Sequence, residues 1–246
     1  MRILIYGAGV IGSLYAVLFA ETGYDTSIYA RGKRLEFLKK NGLLYKKNQN
    51  IRRPDMKFYE SGDSSKPVIF LFPGTCCLYS SFEHVLDRLH SYFYTVTVSY
   101  DGFDPNEKTE FYSMEDECEK IEQEIKKKYD GRIKAAYGCS LGGSFVSLLI
   151  QRKRIHIDHG IIGSSDMDEA GRLVAKIKSS MVVPFMYKMI HTGALPKFMQ
   201  KKLNKTDEVK KELYNGFLNM FGIGKGGNPW ITKQSIYNQF YSDLVT

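Results

Sequence analysis

Apolar and polar positions along the chain fall into blocks that predict strands and helices in turn. Residues 2–6 (RILIY) form a short apolar run, read as a strand. A glycine-rich turn follows, then a helical pattern to about Thr22 with Gly23 placed to cap it, then a second strand over 25–30. Basic residues after it fall on a helix and on a polar stretch, 44–55 (LYKKNQNIRRPD), that reads as a linker. Residues 56–62 predict an edge strand. Residues 68–72 (VIFLF) are a continuous apolar run, as in a parallel strand covered on both faces. Residues 80–92 carry a helical stripe (Phe82, Val85, Leu86, Leu89), and 93–100 (FYTVTVSY) are β-branched and aromatic. Residues 113–129 open on Ser113 and Asp116 as a capping signal, with Met114, Cys118, Ile121 and Ile125 as an apolar stripe. Residues 133–149 (IKAAYGCSLGGSFVSLL) read strand, tight turn, helix, and 155–163 the next strand, with His156 and His159 on or beside a buried strand. Helices are expected over 170–180, 182–192, twice within 198–221, and over 232–245, with no strand pattern after Gly163.

This order is that of an α/β chain: a doubly wound, mostly parallel sheet followed by a helical lid, preceded by a partial Rossmann βαβ unit. The domains read as 1–45 (partial Rossmann unit), 46–55 (linker), 56–169 (sheet core) and 170–246 (lid).

The 246 residues, 43% hydrophobic and 25% charged, suit one large or two small soluble domains. No apolar run approaches the ~20 residues of a membrane helix. The first strand is too short for a signal peptide, so a cytoplasmic protein without a membrane partner is expected. The four cysteines (Cys76, Cys77, Cys118, Cys139) show no paired spacing, which indicates neither a metal site nor a disulfide framework. The net charge is +8, and residues 1–55 hold ten Lys/Arg against four acids. No stacking aromatics are interleaved with these cations, so surface or phosphate binding is expected and no nucleic-acid partner.

Two glycine motifs carry candidate chemistry. Gly7-Ala8-Gly9-Val10-Ile11-Gly12 sits between strand and helix, as a dinucleotide fingerprint requires. Gly7 allows the tight turn, Gly9 lets a pyrophosphate approach the backbone, and Gly12 lets helix and strand pack closely. The second strand ends at Arg31 rather than at an acid, which suits the 2′-phosphate of NADP better than NAD. The bland alternative is a βαβ half-unit with exposed cations and no ligand.

Gly138-Cys139-Ser140-Leu141-Gly142 is a G-x-S-x-G turn, a nucleophile elbow that would present Ser140 at the carboxyl edge of the sheet. The alternative is a glycine-rich turn with an idle serine. Oxyanion donors are expected from the amide of Leu141 and that of Thr75 or Cys76, where Gly74 keeps the loop backbone accessible. Cys76 and Cys77 read as reactive thiols or as small apolar fillers. Asp166 is a candidate triad acid or the N-cap of the next helix. Of the histidines after Ser140 (His156, His159, His191), His191 is the least poor candidate base, and each also has a structural reading. Met181, Val182, Val183, Phe185, Met186, Met189 and Ile190 would line an acyl pocket or pack a helix pair.

Residues 1–43 resemble the N-terminus of ketopantoate reductases, which implies Gly7, Gly9, Gly12 and Arg31 as NADP contacts; that family's further strands, catalytic lysine and helical substrate domain have no counterpart here. From about Met56 onward, PGTCC, SYDGFD, YGCSLGG and GSSD resemble small esterase-like α/β-hydrolases. That resemblance implies Ser140 as nucleophile, the Thr75/Cys76 loop as oxyanion hole, a lid after residue 170, a small acyl or ester substrate, and no cofactor for hydrolysis. The family order of serine, acid and histidine, with the last two after the seventh and eighth strands, is not met. A truncated or fused gene product with a crippled triad is therefore expected.

Overall fold

The computed structural model describes residues 2–21, 25–41, 56–165, 170–197, 200–201, 207–221 and 226–245. The predicted linker 46–55, the Gly23 cap and Asp166 lie outside these residues. The chain divides into two units, Met1–Arg52 and Arg53–Thr246.

In the first unit β1 (Arg2–Tyr6) and β2 (Asp25–Tyr29) pair in parallel, Arg2 opposite Asp25 and Tyr6 opposite Tyr29. Helix α1 (Val10–Glu21) connects them, and α2 (Gly32–Asn41) follows. Two strands and one crossover helix cover little surface, so Leu4 and Tyr6 remain exposed while Ala16 is buried.

The second unit holds a five-stranded sheet in the order β3-β5-β4-β6-β7. The strands are β3 (Lys57–Ser61), β4 (Val68–Phe72), β5 (Tyr94–Ser99), β6 (Arg132–Cys139) and β7 (His156–Gly163). β3 is antiparallel to β5, and the other pairs are parallel. The period-2 alternation of β4 explains its unbroken apolar run. Phe70 and Phe72 point to one face, against α4 (Met114–Lys128) and α5 (Leu141–Arg152); Ile69 and Leu71 point to the other, against α3 (Glu83–Leu89). The capping signal is realised: Ser113 Oγ accepts the Asp116 amide at 3.1 Å.

Three readings change. The helices expected over 170–180 and 182–192 are one helix, α6 (Arg172–Thr192), which continues through Pro184 and stops at Gly193, where φ is +64°. Strand β7 is not buried: it pairs only with β6 among the described residues, and His156 and His159 are exposed on it. The last helix is not an outlying lid element. After α7 (Glu208–Met220), α8 (Lys233–Val245) buries Ser235, Ile236 and Gln239 fully and packs on α4, α5 and α6.

Phe145 of α5 joins these layers, with its ring 4.7 Å from that of Tyr100 and 6.3 Å from those of Phe72 and Phe111. Phe145→Ala is expected to destabilise the chain by about 3–5 kcal/mol, read as a lowered urea midpoint.

Candidate active site

In an open parallel sheet, ligands bind beyond the carboxyl ends of the strands, where the connections diverge to opposite sides. Here that point lies between β4 and β6, because the chain leaves β4 toward β5 and leaves β6 toward β7. Two loops meet there: Pro73–Cys77 after β4, and the turn at Ser140 after β6.

Ser140 has φ +53° and ψ −123°, a strained conformation for a residue with a Cβ. Neighbouring backbone fixes it. Its amide donates to Gly163 O at 2.8 Å, and its carbonyl accepts the Gly143 amide at 2.7 Å. The motif glycines permit the approach: a Cβ on Gly138 would overlap the Gly142 carbonyl, and one on Gly142 would overlap the Phe72 carbonyl. Ser140 is half-buried, and its hydroxyl makes no hydrogen bond with any described residue. Leu141 opens α5 directly after it, at the helix end that favours negative charge.

The opposite loop is equally constrained. Cys76 is a second non-glycine residue at positive φ, +61°. Cys77 N–H closes a turn onto Gly74 O at 3.0 Å, and the fully buried Tyr100 hydroxyl donates to Pro73 O at 3.1 Å. Gly74 lies against the elbow, where an added Cβ would sit 3.6 Å from that of Ser140. Thr75 is half-buried on this loop. The Cys76 amide, one of the two alternatives for the donor paired with Leu141, is already engaged: it donates to Gln239 Oε1 of α8 at 2.8 Å. Burial holds the Cys76 thiol well above its usual range and pushes Cys77 up to about 12, with Cys139 adding to the latter, so both are uncharged packing groups at neutral pH.

The triad does not assemble among the described residues. His191 lies in the last turn of α6 with its ring 5.1 Å from that of Tyr187; its Nδ1 is buried without a partner among the described residues, and it makes no hydrogen bond to Ser140. Asp243 of α8 accepts from the Ser144 hydroxyl at 2.8 Å, one helical turn after Ser140. Sequence reasoning missed Gln239 and Tyr100. A buried glutamine 163 positions from its partner leaves no local pattern.

At the end of β5, Asp101 and Glu117 are both buried, and Lys120 bridges them, 3.0 Å from Glu117 and in direct contact with Asp101. The Asp101 amide donates to Glu117 Oε2 at 3.1 Å. Asp101 therefore anchors the end of the strand that leads to Tyr100.

In the first unit, the glycine turn and β2 enclose a cleft of about 290 Å³ lined by Tyr6, Gly7, Ala8, Gly9, Arg31 and Arg34, among others. Arg31 donates to the Tyr6 hydroxyl at 3.0 Å, and Arg34 donates to Ala8 O at 3.1 Å. Gly7 has φ +115°. A Cβ on Gly12 would overlap the Gly7 carbonyl, whereas one on Gly9 would meet nothing. Arg34 is a second cation on the turn that the sequence reading did not single out.

Comparison with known proteins gives two different likenesses. Residues 3–75 match the family ApbA, ketopantoate reductase PanE/ApbA. The 2-dehydropantoate 2-reductase of Pyrococcus horikoshii is 40% identical over 52 residues, 21% of this chain and 17% of that protein. The chain thus spans less than a fifth of the curated relative it matches. The larger part resembles solved hydrolases. An alpha/beta hydrolase family protein from Desulfitobacterium hafniense has TM-score 0.60 at 14% identity over 77% of this chain and 72% of its own. A thermophilic esterase from Thermogutta terrifontis (0.57, 13%, 77% and 68%) and a carboxylesterase structure from Nitrososphaera gargenis (0.56, 13%, 77% and 68%) are similarly close. No helix among the described residues is long and apolar enough to cross a membrane.

Burial, then the neighbouring Asp101, raises the Glu117 carboxyl from 4.5 to about 8. The folded chain therefore holds this proton after the unfolded chain has released it, so the stability it contributes is lost as pH rises from 4.5 toward 8. Urea midpoints across that range should fall in the wild type, and Glu117→Gln should remove this component. The chain joins a reductase-like glycine turn to a unit with the α/β-hydrolase fold.

Proposed function

We propose that the second unit is a serine hydrolase scaffold that takes a carboxylic ester or related acyl substrate, with Ser140 as nucleophile. The observation that carries this reading is the elbow: a hydroxyl without a partner among the described residues, on a strained turn at the diverging point of the sheet, facing a second strained loop. Attack by Ser140 Oγ on an acyl carbon would place the developing oxyanion near the Leu141 amide and the Thr75/Cys76 loop. Asp166 and His191 are the candidate acid and base, and His191 makes no hydrogen bond to Ser140, so the hydroxyl stands without its base here. A serine without a base is a weak nucleophile at neutral pH, so slow turnover is expected. A fluorophosphonate, whose phosphorus is more electrophilic than an ester carbon, should label Ser140. Peptide mass mapping, with Ser140→Ala as control, checks this; absence of adduct on the folded wild type would end the reading.

A second reading is favoured by Gly9. Its missing Cβ serves no packing purpose, so the open space suits a ligand that must lie against the backbone. We infer that the first unit holds the adenosine-phosphate end of NADP, with Gly7, Gly9 and Gly12 at the diphosphate and Arg31 and Arg34 at the 2′-phosphate. NADP supplies hydride chemistry where a complete reductase holds it; the small cleft here supports binding alone. Calorimetry should show NADPH binding that falls about tenfold or more in Arg31→Ala, the worth of one charge-assisted contact. It should also weaken in Gly9→Ala at unchanged thermal stability; no heat at millimolar cofactor would exclude the site.

A further inference from the structure

Helix α8 reaches the candidate site through one side chain. Gln239 is fully buried, and its Oε1 accepts the Cys76 amide at 2.8 Å. Its other half is unsatisfied: Nε2 is buried with no hydrogen-bond partner among the described residues. A glutamine serving only to pack the interior would be expected to pair both ends of its amide, because an orphaned donor is costly. The half that is paired presents a carbonyl oxygen to an N–H of the Pro73–Cys77 loop, the loop that carries the candidate donors Thr75 and Cys76.

The rest of α8 fixes this placement. Asn238 Nδ2 donates to Phe111 O at 2.7 Å, and Ser235 Oγ accepts the Phe111 amide at 3.2 Å. Asp243 accepts from Ser144 of the elbow helix at 2.8 Å, and the Leu244 carbonyl accepts the Ala170 amide at 2.7 Å. The helix is thus tied to the β5–α4 connection, to the elbow helix and to the entry of α6, with Gln239 between these ties.

We propose that Gln239 is an internal occupant of the oxyanion hole: its carboxamide oxygen takes the Cys76 donor, and an acyl carbonyl engages that donor only after Gln239 is displaced. The device is autoinhibitory and needs no covalent step. It rests on the reading of Ser140 as nucleophile, and the experiment keeps the two apart.

The test measures the rate of fluorophosphonate labelling at Ser140 in the full chain, for the wild type, Gln239→Ala and Gln239→Met, each checked for folding by circular dichroism. Methionine keeps the side-chain volume and lacks the acceptor, so it decides the matter if the alanine variant does not fold. Both variants should label faster, by up to about 10²-fold, the scale of one oxyanion donor. Equal or slower labelling of Ser140 in the variants overturns the occupant proposal and leaves the serine reading standing. Acceleration by alanine but not by methionine also overturns it, because room rather than the acceptor was then the obstacle. Adduct in none of the proteins overturns the serine reading, and this proposal with it.

Discussion

A serine at positive φ costs about 1–3 kcal/mol, and it persists only where the surroundings leave the backbone no alternative. At Ser140 those surroundings are two hydrogen bonds from its own peptide groups and two close approaches between backbones, Gly138 to Gly142 and Gly142 to Phe72. The second approach brings the elbow against the end of β4 and sets the spacing between the elbow and the Pro73–Cys77 loop. Tyr100 then holds that loop from β5, and its ring packs on Phe145 of the elbow helix. The strain is thus maintained by the same layer of aromatic rings that forms the core, so site geometry and packing are one constraint.

Features with a local cause were legible in the sequence. The elbow announces itself because the glycines and the serine lie within five positions, and β4 does so because a strand covered on both faces must be apolar throughout. The burial of α8 was not legible. Its sequence is mixed, and what buries it is a set of hydrogen bonds to Cys76, Phe111 and Ser144, residues about a hundred or more positions away. The break expected near residue 181 failed for a different reason: side-chain packing of Val183, Met189 and Ile190 keeps α6 continuous through Pro184. Strand β7 differs from expectation because an apolar sequence does not by itself require burial: Ile161 and Ile162 lie exposed on it.

The first unit shows that two glycines in one motif can be there for different reasons. Gly12 is required by the fold, since any side chain would strike the Gly7 carbonyl. Gly9 is not, and that freedom is the part of the motif pointing to a ligand. The family match over residues 3–75 runs beyond this unit into β3 and β4. An apolar parallel strand followed by a glycine turn is common to both folds, so local pattern cannot separate them at that point; sheet topology does, because β4 pairs with β5 and β6.

The relative size of two effects decides what kind of chemistry the site supports. Removing a triad member leaves about 10³–10⁴-fold acceleration from the oxyanion hole and binding, so a preformed hole without a base still counts for much. Occupying one donor of that hole takes back about 10²–10³ of it. On the proposed assignment of the Cys76 amide to that hole, Gln239 on Cys76 and the lack of an imidazole on Ser140 reduce both contributions at once, and they are independent: one depends on a proton acceptor, the other on a hydrogen-bond donor 2.8 Å from a glutamine oxygen. Restoring the donor alone would favour reactive acyl or phosphoryl groups, which need little proton transfer in the attack. Ordinary esters, whose turnover needs a base twice, in acylation and again in deacylation, would gain far less.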